Sequence, residues 1–176
     1  AVKEDITERK KIIDDLKAAK EMAEENEKKF SIAFHSSSSV SMSTNIDTGE
    51  IIEANNAAEQ VAGFSKAEII GKSSIKLNPW MIQGEREKFI DLLKREKRVL
   101  GFESTFRKKN GEAFIGLISG QMIQIQNQNC LLSIIYDITD IRNAETELLK
   151  AKEKAEENEK KFSMLLYACP ESLSVT

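Results

Sequence analysis

The sequence DTGEIIEAN at residues 47–55 is followed by GFSKAEIIG at residues 63–71, and these two segments decide the fold. The first begins with Asp-Thr-Gly-Glu, a turn signal, and this turn separates two short apolar-containing runs at 40–46 and 51–54. Such runs on either side of a turn are typical of two strands joined in a β-hairpin. We therefore predict a hairpin at the start of the domain.

Two short helices are predicted after the hairpin. Asn55 or Asn56 can cap a helix that ends at Gly63, because asparagine favours helix starts and glycine favours helix ends. Ser65 and Glu68 have the spacing of a capping box, which predicts a second helix that ends near the next glycine.

A longer helix and three strands complete the predicted domain. Pro79 suits the first turn of a helix, and the apolar spacing beyond it continues to about Lys97. Strands follow at 100–108, 113–125 and 130–136, separated by polar turns. This order predicts an α+β fold, a five-stranded antiparallel sheet with helices on one face, flanked by N- and C-terminal amphipathic helices of coiled-coil character.

An internal repeat sets the boundaries of the domain. Residues 20–31 recur 132 positions later, and the two copies differ only at Met22, which is replaced by Lys154. The period is too long for a solenoid, so it indicates an array of whole domains joined by linkers. The predicted parts are a linker helix at 1–29, the domain at 30–139, an outgoing linker helix at 140–162 and the start of the next unit at 163–176.

Each linker carries a narrow apolar seam at alternating spacings of four and three residues, while charged residues fill its other faces. Such a helix buries little unless a partner helix covers the seam, so we predict parallel coiled-coil segments of a homodimer. A solvated single helix held by Glu/Lys pairs is the alternative. The seam positions are Ile12, Leu16, Ala19, Ala23, Asn26 and Phe30 in the first linker and Ala144, Leu148, Ala151, Ala155, Asn158 and Phe162 in the second.

Four segments together resemble the PAS domain with its C-terminal PAC part: the two segments quoted first, then Asn110-Gly111, then Asp137-Ile138-Thr139. The resemblance covers residues 30–139. It implies a sheet in the strand order 2-1-5-4-3, helices across one face around a small cavity, and dimerisation through the flanking helices. It also implies a role in sensing or relaying a signal.

The resemblance assigns a role to the end of the last strand. In that family the Asp-Ile-Thr segment couples the sheet to the outgoing helix, so Asp137, Ile138 and Thr139 are the expected signal-relay residues. Asp137 and Thr139 can also cap that helix. The parent implied is a prokaryotic multi-PAS signalling protein, most often a sensor histidine kinase and next a diguanylate cyclase.

The space between helices and sheet is the expected place for a ligand, and both a small-molecule sensor and a ligand-free spacer or dimerisation module stay open. Haem held as the family usually holds it is not expected, because the helix that ends near Lys97 has no histidine. Covalent flavin photochemistry is not expected either, since no cysteine precedes that helix, whereas noncovalent flavin stays open. The candidate lining residues are Trp80, Met81, Phe102, Ser104, Phe106, Ser119, Gln121 and Ser133.

Composition argues against several functions. Charged residues make up 31% of the chain but the net charge is only -3, so a nucleic-acid partner is not expected. No apolar run is long enough for a membrane span or signal peptide, so we expect no direct membrane contact, although the parent can be membrane-anchored. Cys130 and Cys169 lack metal-site spacing and fit a reducing cytoplasm, where we expect the module.

Catalysis is not expected from this sequence. The chain has one histidine, His35, and no nucleophile motif, phosphate-binding loop or metal-ligand cluster. His35 is interpreted as an ordinary residue where the linker meets the domain. The expected partners are a second copy of the chain, the adjacent PAS units, and a downstream effector in the same protein.

Overall fold

A computed structural model of the chain describes residues 2–125 and 127–168. Gln126, in the predicted polar turn, and residues 169–176, which include Cys169, lie outside the described part. In chain order the elements are α1 (Val2–Ser36), β1 (Val40–Asn45), β2 (Ile51–Ala54), α2 (Asn56–Ala62), α3 (Lys66–Ile69), α4 (Ser74–Leu77), α5 (Glu85–Glu96), β3 (Arg98–Arg107), β4 (Ala113–Ile125), β5 (Gln128–Asp137) and α6 (Thr139–Ala168).

The five strands form one antiparallel sheet in the order β2-β1-β5-β4-β3. The α+β prediction and the expected order 2-1-5-4-3 are therefore confirmed. The first and last strands lie side by side at the centre, with Val40 opposite Ile135 and Asn45 opposite Cys130. The strand that receives the incoming helix α1 is thus paired directly with the strand that leads to the outgoing helix α6.

The core lies between one face of the sheet and helices α2 to α5. Strands expose alternate residues on opposite faces, so Phe114 and Ile118 of β4 share the inner face with Ile135 of β5. Phe89 and Leu93 of α5 are fully buried against them. Each such side chain contributes about 1.5 to 3 kcal/mol through burial.

Several helices differ from the sequence prediction, and α6 ends at Ala168 and not at residue 162. Helix α1 continues past the predicted linker end at residue 29 to Ser36, because Phe34 is buried against the domain and extends the packing of the helix. The short helix α4 was not predicted. Helix α5 begins at Glu85 after Gly84, whose φ of 82° is a left-handed conformation, so the placement of Pro79 in its first turn was wrong.

The backbone around Pro79 is paired with the sheet instead. The Arg107 N–H donates to the carbonyl of Pro79 at 2.7 Å, and the Met81 N–H donates to the carbonyl of Thr105 at 2.9 Å. These two bonds cover part of the free edge of β3, which is an outermost strand of the sheet. Across residues 2–125 and 127–168, no helix combines the length and apolarity needed to cross a membrane.

Candidate functional site

The side chain of Asn55 joins the incoming helix α1 to the sheet. Its Oδ1 accepts the Ser41 N–H of β1 at 3.0 Å, and its Nδ2 donates to the carbonyls of Phe34 at 3.1 Å and Ser39 at 2.8 Å. Asn55 is fully buried at the start of α2, so water does not compete for these bonds. One amide therefore fastens α1, β1 and α2 together, and we call Phe34, Ser39, Ser41 and Asn55 the input junction.

A second cluster joins β5 and β4 to the outgoing helix α6. The Asp137 Oδ1 accepts the Thr139 N–H at 3.0 Å and the Thr139 hydroxyl at 2.6 Å. The Thr139 Oγ1 accepts the Ile115 N–H at 2.9 Å, and the Ile138 N–H donates to the Ile115 carbonyl at 2.8 Å. These four residues, which we call the output junction, bring the predicted relay residues together with β4.

An ion pair ties α6 to the sheet one turn further along. The Arg142 guanidinium pairs with Glu103 of β3 through both carboxylate oxygens, and it also donates to Glu145 at 2.6 Å. Hydrogen bonding to Glu103, and then to Glu145, raises the pKa of Arg142 above its ordinary value. The paired side chains of Arg142 and Glu103 are about 40% exposed, so solvent screens the pair.

The two junctions lie at the same end of one antiparallel strand pair, where β1 begins and β5 ends. Ser41 of the input junction faces Ile134 across the β1–β5 ladder, three residues before Asp137 of the output junction. Because ladder hydrogen bonds fix neighbouring strands in register, a displacement of β1 is passed to β5. The sheet therefore offers a direct mechanical connection between the ends of α1 and α6.

Aromatic side chains fill much of the interior between helices and sheet. The Trp80 ring centroid lies 4.8 Å from that of Phe106 and 5.8 Å from that of Phe89. Phe102 is 5.6 Å from Phe89, and Phe114 is 5.5 Å from Phe106. We call these five residues the aromatic cluster.

Two small cavities remain beside the aromatic cluster, each of about 70 Å³. The first, the α2 cavity, is lined by Ala58 and Ile69 among other residues and is almost entirely apolar. The second, the α5 cavity, is lined by Ile90 and Ile118 and includes the hydroxyl-bearing Ser133. Pro79 lines both cavities, so the segment paired with the edge of β3 covers each of them.

Five of the eight candidate lining residues face the interior: Trp80, Phe102, Ser104, Phe106 and Ser133. Ser104 donates its hydroxyl proton to Glu85 at the start of α5, and Ser133 donates to the carbonyl of Met42 at 3.4 Å. Buried hydroxyls with such partners are accounted for by the protein itself.

Ser119, Gln121 and Met81 are not brought to the interior. Ser119 and Gln121 lie on the face of β4 opposite Ile118, because strand side chains alternate, and Ser119 accepts the Gly101 N–H there. Met81 follows the buried Trp80 in the extended segment and is exposed.

The seams of the two long helices are uncovered in the single chain. Ile12, Leu16 and Phe30 of α1 are more than half exposed, and so are Leu148 and Phe162 of α6. The alanines at the intervening positions are exposed as well: Ala19, Ala23, Ala151 and Ala155.

His35, the single histidine of the sequence, lies in the last turn of α1, and its Nδ1 is 3.3 Å from the Lys66 ammonium.

The family model described as the PAS domain matches residues 39–140. The chain belongs to the PAS domain family. The family prediction is thereby confirmed, and PAS domains are signal-sensing modules of sensor proteins. No curated protein matches the sequence at a significant level.

Solved PAS domains share the fold at low sequence identity. A PAS domain from a two-component sensor histidine kinase is 12% identical with a TM-score of 0.55, covering 65% of this chain and 98% of its own. The PAS domain of an HTR-like protein from Haloarcula marismortui is 18% identical with a TM-score of 0.56, covering 69% and 99%. That of the fruit-fly ELK potassium channel is 20% identical with a TM-score of 0.52, covering 64% and 96%.

Sequence reasoning missed three features of this PAS domain. Asn55 was expected only as a helix cap, although its side chain makes no cap bond and holds the input junction instead. The Arg142–Glu103 pair joins residues 39 positions apart, which no local pattern reveals. The close approach of aromatic rings to β4 did have a signal, because Gly116 and Gly120 are isolated glycines inside a strand.

Proposed function

We propose that this PAS domain is a sensing and relay module of a multi-PAS signalling protein, which transmits changes in its interior or in α1 to α6. The observation that supports the proposal is that the two junctions lie next to each other at one end of the β1–β5 ladder. Asn55 binds the end of α1 to β1, and Thr139 binds the start of α6 to β4 and β5. A twist of the sheet therefore alters the direction of α6.

The seams favour a homodimer as the working form. In a parallel coiled coil, charged residues beside the seam face residues five positions later on the partner helix. In this chain three such pairs carry opposite charges: Asp15 with Lys20, Glu147 with Lys152, and Lys154 with Glu159. Asn26 and Asn158 each occupy one seam position, a device that fixes register at some cost in stability. A second copy of the chain is thus the partner that fits both seams.

The module itself has no catalytic role in this proposal. Its output is carried by α6 to a downstream effector, for which a sensor histidine kinase is the first choice and a diguanylate cyclase the second. A PAS domain from a two-component sensor histidine kinase is among the structural relatives, which supports the first choice. Cys130 is free and buried, which suits a reducing cytoplasm.

The second candidate function is a ligand-free spacer that only holds two chains together. Both functions predict a dimer, so the deciding experiment must change the input and measure the output. A spin label at Lys150→Cys, outside the seam, reports the distance between the two α6 helices. Cys169→Ser removes a second thiol, and Cys130 is fully buried and therefore protected from labelling. The input change is Leu16→Glu, and its control is Lys17→Glu outside the seam.

A relay predicts that Leu16→Glu changes the distance distribution at position 150 while the α6 seam keeps the dimer together, and that Lys17→Glu does not. Adding Thr139→Val at the output junction should reduce the response. A distribution that is the same with and without Leu16→Glu, in a dimer confirmed by sedimentation, would favour the spacer. Leu16→Glu together with Leu148→Glu should give monomers, and an unchanged sedimenting mass would remove the coiled-coil dimer from the proposal.

A further inference from the structure

Two aromatic rings of the interior lie directly on the backbone of β4. A Cβ atom added at Gly116 would come 2.5 Å from Cδ2 of Phe106, and one added at Gly120 would come 2.8 Å from Cζ of Phe89. Both distances are shorter than van der Waals contact, so these glycines are required for the rings to reach the sheet. The centre of the domain is therefore occupied by Phe89 and Phe106 rather than left open.

The space that remains limits what can bind. Pockets for drug-sized ligands have volumes of about 300 to 1,000 Å³, whereas the α2 cavity and the α5 cavity measure about 70 Å³ each. A haem or a flavin ring system does not fit either of them without expelling an aromatic side chain. A molecule of a few heavy atoms does fit.

The lining decides the chemical class of the molecule. The α2 cavity is surrounded mainly by aliphatic and aromatic side chains, such as Ile51, Ile69 and Phe114. The α5 cavity is also mainly apolar, but its lining includes the polar residues Thr44, Asn45, Ser74, Arg86 and Ser133. Apolar cavities of this kind stay dry and take up apolar guests; one of about 150 Å³ binds benzene or xenon. In the α2 cavity, a charged or strongly polar guest would lose its hydration without gaining partners.

The covering segment, residues 78–84, has the features of a hinged strap. Asn78 and Gly84 both adopt left-handed backbone conformations, with φ of 45° and 82°, and they flank the stretch that pairs with β3. Two backbone hydrogen bonds join that stretch to β3, one to the Thr105 carbonyl and one from the Arg107 N–H. Trp80 projects from the strap into the aromatic cluster, where its ring packs against Phe102 and Phe106, and it lines the α5 cavity.

We propose that the interior of this PAS domain binds a small apolar molecule of a few heavy atoms, and that the molecule enters when the 78–84 strap leaves β3 and withdraws Trp80. This inference rests on the proposed sensing role, because the guest would be the signal that the sheet relays. It differs from a large-cofactor site in that the aromatic rings on Gly116 and Gly120 remain in place.

Xenon is the probe for the cavities. In methyl NMR spectra of the dimer under xenon pressure, we expect saturable shifts at Ile69 of the α2 cavity and at Ile90 and Ile118 of the α5 cavity. Ile52, which is exposed on β2, is the internal control and should shift only linearly with pressure. Absence of saturable shifts at the cavity methyls in the folded protein would overturn the proposal, and so would a stoichiometric complex with hemin or flavin mononucleotide.

Filling one cavity at a time gives matched variants. Ala58→Val places two methyl groups in the α2 cavity alone, so it should remove the Ile69 shift and keep those of Ile90 and Ile118. Thr44→Ile fills the α5 cavity alone and should do the reverse. If both variants keep every xenon shift, the guest does not occupy these cavities and the assignment is wrong.

The strap is tested by the exchange rate of bound xenon. Met81→Pro removes the N–H that bonds to Thr105 and should raise the exchange rate several-fold, while Ile82→Ala, also on the exposed side of the strap, should not. Trp80 is the only tryptophan of the chain, so a red shift of its emission confirms that the strap has opened. An opened strap with unchanged exchange would overturn the entry route; if Met81→Pro does not fold, Trp80→Leu must give the same increase.

The test of the small apolar guest can be separated from the test of the relay. Xenon binding is measured in the cavities and does not depend on α1 or α6, whereas the relay is measured as a spin-label distance at position 150. No xenon binding together with a response to Leu16→Glu would reject the small apolar guest and leave the relay intact. Saturable xenon binding with an unresponsive label distance would reject the relay and retain the binding site.

Discussion

The input and output junctions perform similar tasks with opposite exposure to solvent. Asn55 of the input junction is fully buried and makes its contacts to backbone atoms of α1 and β1. Asp137 of the output junction is exposed, and so is much of the Arg142–Glu103 pair beside it. Breaking a buried polar contact leaves groups without any partner, whereas water replaces a broken contact at the surface.

In the proposed relay, this difference gives the junctions different roles. The input junction is part of the folded core, so α1 and β1 move together or the domain unfolds locally. The output junction can exchange its partners for water at low cost, which allows α6 to adopt more than one direction. A relay needs a rigid input and an adjustable output, and the two junctions meet that requirement in this order.

The largest effect is expected from Asn55→Ala. The substitution leaves the Ser41 N–H and the carbonyls of Phe34 and Ser39 buried without their partner, which should lower the free energy of unfolding by about 3 kcal/mol. Urea unfolding followed by circular dichroism measures the change. Asn56→Ala, at the exposed neighbouring residue, is the control and should change the stability by less than about 0.5 kcal/mol. Equal effects of the two variants would show that the input junction is no stronger than an ordinary surface site.

An intermediate effect is expected from Thr139→Val at the output junction. Valine keeps the shape of threonine but cannot accept a hydrogen bond from the Ile115 N–H. The free energy of unfolding should therefore fall by about 1 kcal/mol. Thr139→Ser, which keeps the hydroxyl, should restore most of it, and Thr146→Val on the exposed side of α6 should cost less. A cost as large as that of Asn55→Ala would contradict the contrast between the junctions.

The sequence was sufficient for the strands and for the output junction because both have local signals. Alternating residues and Asp-Thr-Gly or Asn-Gly turns set the sheet, and Asp137 and Thr139 are two positions apart, so their hydrogen bond lies within one turn of chain. The input junction depends on a contact between residues 14 positions apart, Asn55 and Ser41, which forms only after the hairpin folds.

The interior was less predictable for a related reason. Choosing between the two faces of β4 needs the register of the whole sheet, and placing Ser119 and Gln121 inward amounted to an error of one residue in that register. The strap could not be foreseen because proline suits both a helix start and an edge-paired segment, and the tertiary pairing with β3 decided between them.

A smaller effect on stability is expected from the Arg142–Glu103 pair, which lies beside the output junction. A double-mutant cycle with Arg142→Gln and Glu103→Gln should give a coupling energy below about 1 kcal/mol, because both side chains are partly solvated. Raising the salt concentration should reduce it further. A coupling above about 2 kcal/mol, unaffected by salt, would place this pair with the buried contacts of the input junction.

The smallest effect is expected from Glu68, which belongs to neither junction and fastens α3 to the turn between β3 and β4. Hydrogen bonds from the Lys109 ammonium, at 2.5 Å, and then from Ser65 lower the pKa of Glu68 from 4.5 to about 2. A folded-state pKa below the unfolded one stabilises the protein above about pH 5, and this contribution is lost as the pH falls towards 2. Glu68→Gln should therefore reduce stability slightly at pH 7 and not at pH 2, as measured by the difference between the two urea midpoints. A difference that persists at pH 2 would contradict an origin in the Glu68 charge. A changed label distance at position 150 would show that this contact takes part in the relay and that the two junctions do not act alone.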